Sequence, residues 1–472
     1  MPKRNMRPLY PHEGYMIRPQ KVLSDGSELL HCSERLNASI KCQALGNKNG
    51  NIITLTKQHT GHQKNDEIVK SKMAKIEMKE IATTSNLPPR KILLEVKKKY
   101  GVVPVVMSGS TSTLNRMISR QREEKCPDVF ALDSSNPVFQ GKMTLDYDQE
   151  RFMIFDEINA STGARHVAFG NELGLQVLQN SEILLTDGTF AVAKKPFAQL
   201  WSIHATFGDS TVPVVNVLME SRSTPDYSFV LENIKKAAPN WNPKIFMGDL
   251  EIGQAKAVEM AFPGIQVSFC YFHLVQAWYR RMSALKLDSL TQTGCQLHEF
   301  WTLLTCLPFG NVNTVHQDFD EILKLLPNTV TPAMTKFENY IRKYYVGPSP
   351  SLMFPPLKWN VAERTIRGLP RTTNSVEALH RNLEGCISDT RGRSEPHLSE
   401  LVKCLKEEAL HLKQNKEALD FDPLFKVSAE RKEKDLQKDK RLLAVVLNIP
   451  QPPRAPLHGI NYLKAIRAAK KF

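Results

Sequence analysis

"ILLTDGTF", residues 183–190, is the stretch on which the reading of the fold turns. An apolar run ends abruptly in an acid, a glycine and a hydroxyl. An Asp-Gly pair supplies the positive backbone angles of a tight hairpin, so one reading makes Asp187-Gly188 a simple turn. The other has a buried strand holding Asp187 at a sheet edge, as a metal ligand or catalytic base. The partners of Asp187 separate the two. "KIFMGDLEIGQAKAVEMAFPG", residues 244–264, repeats the design: an apolar strand, then Asp249, then a helix marked by Ala255, Ala257, Val258, Met260 and Ala261. Two strands thus each deliver an acid at a C-terminal end, the edge where open α/β sheets build their sites. Asp249 also fits a helix N-cap. Two divalent cations held together need several carboxylate oxygens, so a third acid is expected. In "LPRTTNSVEALHRNLEGC", residues 369–386, Glu377, His380 and Arg381 share one helix face. Asn374 and Glu377 also have the spacing of a capping box, in which Glu377 would only bond the first helical turn.

Working outward, "RFMIFDE", "RHVAFG", "FAQLWSIHATFG", "TVPVVNVLME" and "QVSFC" join the two acid-bearing strands between about 147 and 270, with helical stretches at 224–237 and 250–262. Adjacent strands first and βαβ units afterwards predict a mixed α/β sheet. After Cys270 the pattern is helical to about 345, proline-rich to 370, then helical to about 419. The remainder, 420–472, is basic and broken by "IPQPPRAPLHG", which predicts an extended or partly ordered tail. Toward the N-terminus, residues 1–14 read as a flexible tail. From Tyr15 to about 65 come short β-like pieces such as "NIITLT". Residues 66–124 read as three short basic helices, over Asp66 to Thr84, Lys91 to Tyr100 and the segment opened by "GSTSTLNRMISRQREE", which suggests a helix-turn-helix-like unit. No internal repeat is apparent.

The chain has 472 residues, with 63 Lys and Arg against 49 Asp and Glu, a formal charge of +14. Such an excess favours a polyanionic partner such as nucleic acid over a merely basic surface. Arg116, Arg120 and Arg122 are candidate contacts on the third helix. No stretch approaches a membrane span and the start lacks the apolar core of a signal peptide, so a soluble intracellular protein is expected. Eight cysteines do not form a secreted disulfide framework here, and close Cys/His groupings read better as metal ligands or buried thiols. Cys32 and Cys42, with His59 and His62, offer two thiolates and two imidazoles, enough for a closed tetrahedral zinc site. Two unrelated cysteines and two surface histidines are the alternative. Cys270 and His273 form a CxxH pair with only two of the four ligands a structural zinc needs. A packing or substrate-orienting role suits them, and Arg280 and Arg281 on the same helix could contact phosphate.

"DGTF", "KKPFAQLWSIHA", Tyr227, "GDLEIGQAKAVEMAFPGIQVSFCYFH" and "RTTNSVEALH", in that order, resemble the transposases of Mutator-like elements over roughly residues 147–410. The resemblance implies a ribonuclease-H-like catalytic domain with a helical insertion at about 285–345. It also implies a DDE triad of Asp187, Asp249 and Glu377, with Glu384 a nearby competitor for the third place. These acids would ligate two Mg2+ or Mn2+ ions for phosphodiester cleavage and strand transfer by in-line displacement. Transposon terminal repeats and target DNA would be the partners, in the nucleus, with a homo-oligomer bringing two element ends together. Residues 15–65 resemble a FLYWCH-type zinc finger, with two departures: Leu29, Leu30 and His31 precede Cys32 where the family carries an aromatic residue, and two residues rather than one separate the closing histidines. The alternatives are a domesticated, non-catalytic DNA-binding regulator that retains the transposase shell, and a metal-dependent nuclease without strand transfer.

Overall fold

The computed structural model describes residues 8–85, 87, 89–125, 127–133, 135–326, 332–347, 352–388, 398–428, 432–447 and 458–470. Two units divide the chain, Met1–Ser134 and Ser135–Phe472. No helix among the described residues is long and apolar enough to cross a membrane.

In the first unit, β1 (Tyr10–His12), β2 (Tyr15–Val22), β3 (Glu28–Cys32), β4 (Leu45–Asn49) and β5 (Ile52–Lys57) form an antiparallel sheet in chain order. The segment expected to be a flexible tail therefore contributes an edge strand. Glu13 and Gly14 both take positive φ, 47° and 82°, and close a two-residue hairpin that pairs His12 with Tyr15. That is the backbone twist a tight hairpin requires, and an Asp-Gly-like pair in a polar stretch was its only sequence signal. Asn65 then caps the helix Asp66–Thr84, its Oδ1 accepting the Ile68 N–H at 3.0 Å. Four more helices follow: Pro89–Tyr100, Val102–Met107, Thr111–Lys125 and Pro127–Leu132. The two six-residue helices are too short to show a helical period, which is why three helices were expected. Ala74, Met78, Ala82, Ile92, Val96, Val105, Leu114 and Ile118 share one small core.

Arg122 is committed to this core's edge. Its guanidinium donates to the carbonyls of Ala82, Ser85 and Leu87 at 3.1, 3.0 and 2.6 Å, satisfying the C-terminal end of the first helix. These bonds give Arg122 a structural part at the helix end. Arg116 and Arg120 are exposed one turn apart on the same helix.

The second unit is built on seven strands: β6 (Met153–Ile158), β7 (Arg165–Phe169), β8 (Ile183–Thr189), β9 (Gln199–Phe207), β10 (Ser210–Met219), β11 (Ile245–Gly248) and β12 (Gln266–Phe269). Their order is β12-β11-β8-β9-β10-β7-β6. β11 runs parallel to both β8 and β12, and the remaining pairs are antiparallel. β8 is central and nearly all buried because helices cover both its faces, which explains a run of apolar residues without polar alternation. On one face, Leu184 and Phe246 join Tyr227, Val230 and Leu231 of the helix Thr224–Ala237. On the other, Leu185 and Met247 pack on Val376 of the helix Asn374–Ser388.

Among the described residues of 285–345, the helices include His298–Leu304, Val315–Leu323 and Pro332–Ile341. The described residues of the expected extended or partly ordered basic tail from 420 include two packed helices. Helices Glu433–Val446 and Gly459–Lys470 insert Leu442, Val446, Tyr462, Leu463 and Ile466 into the same core as the sheet. Their apolar residues recur at three- and four-residue intervals but are diluted by lysines whose stems can lie along the surface. The prolines of "IPQPPRAP" fall outside the described residues.

Replacing Arg122 with Ala leaves those helix-end carbonyls without a donor and is expected to destabilise the first unit by about 1–3 kcal/mol. Arg116→Ala should change stability by no more than about 0.5 kcal/mol. Denaturant midpoints, with hydrogen-exchange protection read across residues 66–125, distinguish the two.

Candidate metal centres

Asp187-Gly188 is not a turn. Both residues lie within β8, paired with Ser202 and Trp201 of β9. Gly188 leaves room for Gln199, since a Cβ there would meet the Gln199 side-chain oxygen at 2.6 Å and push it aside. The parallel registers then align three strand ends. Met247 pairs with Leu185, and Gly248 pairs with Phe269. Continued by one or two residues, these registers set Asp187, Asp249 and Cys270 in one row across β8, β11 and β12, at the roughly 4.8 Å spacing of neighbouring strands. Two-residue alternation also fixes the side of the sheet. Asp187 follows Leu185 by two residues and so faces the helix Asn374–Ser388, where Val376 lies on Leu185.

That helix brings two side chains to the row. The Glu377 carboxylate lies 4.0 Å from His273 Nε2, and Cys270, His273 and Glu377 present ligand atoms all within 4.8 Å of one another. Glu377 Oε1 is buried without a hydrogen-bond partner, so the side chain does not close a capping box. One turn on, His380 Nδ1 lies 3.5 Å from Asp187 Oδ2, and its Nε2 lies 3.1 Å from Ser202 Oγ. Ser202 in turn donates to Asn216 at 2.7 Å. Glu384 accepts from Thr189 at 3.4 Å, at the C-terminal end of β8 two residues beyond Asp187. Among the described residues Asp249 accepts the Glu251 N–H, at 3.1 Å; the N-cap of the following helix, Ile252–Ala261, is Glu251 itself.

Sequence reasoning did not single out Glu251 or Gln199. Tyr227 donates to Glu251 at 2.9 Å and receives a bond from Gln199 at 2.8 Å, a buried polar chain that braces the segment after Asp249. The spacing of Glu251, two residues beyond Asp249, was the only hint. Arg364 has the same anonymity. Buried to 2% exposure, it donates to the Phe269 carbonyl at 3.0 Å and so fixes the end of β12 just before Cys270.

Cys270 is buried and is the N-cap of the helix Tyr271–Ala284, with His273 in its first turn. The backbone N–H of Thr373 donates to its sulfur at 3.4 Å. Arg281 has its guanidinium over the Tyr340 ring, 5.3 Å from the centroid, with a buried Nε, while Arg280 is exposed. Of the two, Arg280 alone is freely presented to solvent.

The carboxylates are crowded. Burial, then the charges of Glu251 and Asp187, push Asp249 up to about 6. Burial disfavours a charged His273, but Cys270 and then Asp187 and Asp249 outweigh it and hold the imidazole up at about 9. The Cys270 thiol is affected in the opposite sense: burial raises it, yet the adjacent His273 brings it below its ordinary value. The row is therefore an anionic pocket partly neutralised by imidazole, with acid oxygens to spare for a hard cation.

The first unit holds the second cluster. Cys32, Cys42, His59 and His62 present four ligand atoms within 4.8 Å of one another. A tetrahedral zinc with Zn–S of ~2.3 Å and Zn–N of ~2.0–2.1 Å sets a sulfur–nitrogen edge of roughly 3.6 Å. Cys32 Sγ to His62 Nε2 is 3.4 Å, and Cys42 Sγ to His59 Nδ1 is 3.5 Å. Backbone N–H groups of Glu34 and Thr60 donate to the two sulfurs at 3.4 Å each, and Tyr15 stacks on His59 at 3.6 Å between centroids. Burial, with Cys42 alongside, pushes the Cys32 thiol up to about 12, so a metal bound there would have to displace its proton. Gly61 makes the turn between the histidines with φ of 77°, and a Cβ there would strike the Ile40 carbonyl at 2.7 Å. These four residues form a candidate Cys2His2 metal site near the N-terminus.

Residues 183–277 match the family model described as the MULE transposase domain. The match begins with β8 and ends within the helix Tyr271–Ala284, so it takes in Asp187, Asp249, Cys270 and His273 but not Glu377. No curated protein matches the chain.

The raised proton affinity of Asp249 has a thermodynamic consequence. As pH rises from about 4 to about 6 the unfolded chain has released this proton while the folded chain still holds it, so stability falls across that window. Asp249→Asn removes the buried charge and should stabilise the metal-free protein at pH 7.5 by about 1–2 kcal/mol. The gain should vanish below about pH 4. Paired denaturant curves at the two pH values measure it.

Proposed function

We propose that this chain is a transposase-derived DNA-processing protein whose second unit is a ribonuclease-H-like nuclease of the DDE type. The observation that carries the reading is the row of strand ends bearing Asp187 and Asp249 inside the segment matching a MULE transposase domain, with Glu377 of the helix at 374–388 beside Cys270 and His273 at one end of that row. The fold assignment is supported by the antiparallel strands β8, β9 and β10 continued through β8 into the parallel pair β11 and β12. Asp187, Asp249 and Glu377 are the proposed catalytic and metal-binding residues. Two Mg2+ or Mn2+ ions, when bound, would lower the pKa of the attacking oxygen and stabilise the departing one in an in-line displacement.

The chain's own residues supply the frame for this. Asp187 is fixed by the β8–β9 ladder, and the imidazole of His380 beside its carboxylate restricts its rotamer. The buried Glu377 Oε1 has no hydrogen-bond donor, leaving its lone pairs to a cation. Exposed Arg280 would meet phosphate near the site, and Arg116 and Arg120 would do so in the first unit, with a steep dependence on salt. We assign the Cys32, Cys42, His59 and His62 cluster to structural zinc in a FLYWCH-like finger preceding a helical DNA-binding region. Terminal-repeat and target DNA are the proposed partners, with a homo-oligomer to pair two ends and a nuclear location.

Asp187→Asn should lower metal-dependent nicking of terminal-repeat DNA by at least about 100-fold, beyond the effect of removing an outer-shell partner, while DNA affinity in a gel-shift assay stays within a few-fold. Nicking by the substituted protein at the wild-type rate would overturn the assignment. A wild-type chain that binds such DNA but never cuts it, with any divalent ion, would support the domesticated reading instead.

For the N-terminal cluster, Cys42→Ser is expected to abolish one equivalent of bound zinc and to expose residues 10–62 to hydrogen exchange, as a chelator would in the wild type. Elemental analysis finding equal zinc in both proteins would remove the ion from this site.

A further inference from the structure

We propose that Cys270, His273 and Glu377 form a second, open coordination site for a thiophilic divalent cation such as Zn2+, and that filling it withdraws Glu377 from the two aspartates. The site itself stands on geometry alone. The withdrawal rests on the proposed role of Glu377 as the third acid.

Three observations carry the site. The three ligand atoms lie within 4.8 Å of one another, with His273 Nε2 4.0 Å from Glu377 Oε1. A tetrahedral zinc sets edges of roughly 3.4–3.6 Å for such ligands, so closure asks for a shift of about 1 Å, within the reach of the Glu377 side chain. Next, Glu377 Oε1 is buried without a hydrogen-bond partner. Orphaned polar atoms of this kind carry an uncompensated desolvation cost that a cation would offset. Finally, Cys270 stands at a helix N-terminus and accepts the Thr373 N–H at 3.4 Å, the environment that supports a metal thiolate.

The donor set decides which ion binds. Sulfur and imidazole nitrogen favour Zn2+ or Cd2+, whereas Mg2+ and Mn2+ favour carboxylate oxygen. Three protein ligands leave a fourth position open, unlike the closed Cys2His2 cluster of the first unit. Glu377 is the one residue that both kinds of ion would claim. A soft cation held by Cys270 and His273 would turn this carboxylate toward β12 and away from Asp187, leaving the hard-cation pocket with two acids.

Native mass spectrometry of the full chain purified with zinc should find two bound ions in the wild type and one in Cys270→Ser. Because that substitution could disturb the core, 113Cd NMR of the wild type provides an independent test. Two resonances are expected, one from two sulfurs and two nitrogens and a second, well upfield, from one sulfur with nitrogen and oxygen. A single resonance, or two ions retained by Cys270→Ser, would overturn the site. Mn2+ binding followed by electron paramagnetic resonance should weaken at least tenfold once the second zinc is loaded. Unchanged Mn2+ affinity overturns the withdrawal. A zinc-free chain that binds no Mn2+ at all overturns both the acid-pocket reading and the withdrawal, while the cadmium resonances still decide the soft site on their own.

Discussion

The hydrogen-bonded register of β8, β11 and β12 is the constraint from which the rest of the second unit follows. Parallel strands leave no freedom in how their ends align: once Met247 pairs with Leu185 and Gly248 with Phe269, Asp187, Asp249 and Cys270 must stand side by side. A one-residue slip in the first pairing would turn an acid onto the opposite face, and one in the second would turn Cys270. The register is held by burial, since Leu184, Leu185, Phe246, Met247 and Phe269 are each at most 1% exposed. The two glycines beside the acids leave room for neighbouring side chains: a Cβ at Gly188 would meet the Gln199 side-chain oxygen, and one at Gly248 the Gln254 oxygen and the Phe246 ring.

This row gathers negative charge where water is scarce, and the surroundings carry that cost. His273 and His380 approach from two different helices, one near Glu377 and the other beside Asp187. The buried chain from Gln199 through Tyr227 to Glu251 fastens the residues following Asp249. Arg364 fastens the residue before Cys270. Stability given up to hold like charges together in a pocket is the usual signature of a site arranged for binding rather than for folding.

The C-terminal helices belong to this economy as well. Lys470 donates to the Tyr271 hydroxyl at 2.7 Å, and Arg371, three residues ahead of the helix bearing Glu377, pairs with Asp439. Both contacts bear on segments that flank the row, so the residues expected to trail as a tail instead brace the start of the helix carrying His273 and the approach to the helix carrying Glu377. In the first unit the five-stranded sheet of short strands has only a small core around Cys32, Cys42 and Ala44, and the four ligand atoms of Cys32, Cys42, His59 and His62 gather beside it.

The sequence by itself determined the elements and their chemistry: the two strands ending in Asp187 and Asp249, the mixed sheet, the helix bearing Glu377 and the Cys2His2 grouping could all be read from local pattern and spacing. These are properties of short windows, in which periodicity and residue type suffice. Whether Asp187-Gly188 was a turn, whether Glu377 capped its own helix or faced Cys270 and His273, and whether residues 420–472 packed or trailed depended on partners far along the chain. Only the tertiary structure decided them, because register, side-chain pairing and the burial of a diluted apolar stripe are set by contacts between distant segments, and no window of sequence contains both sides of such a contact.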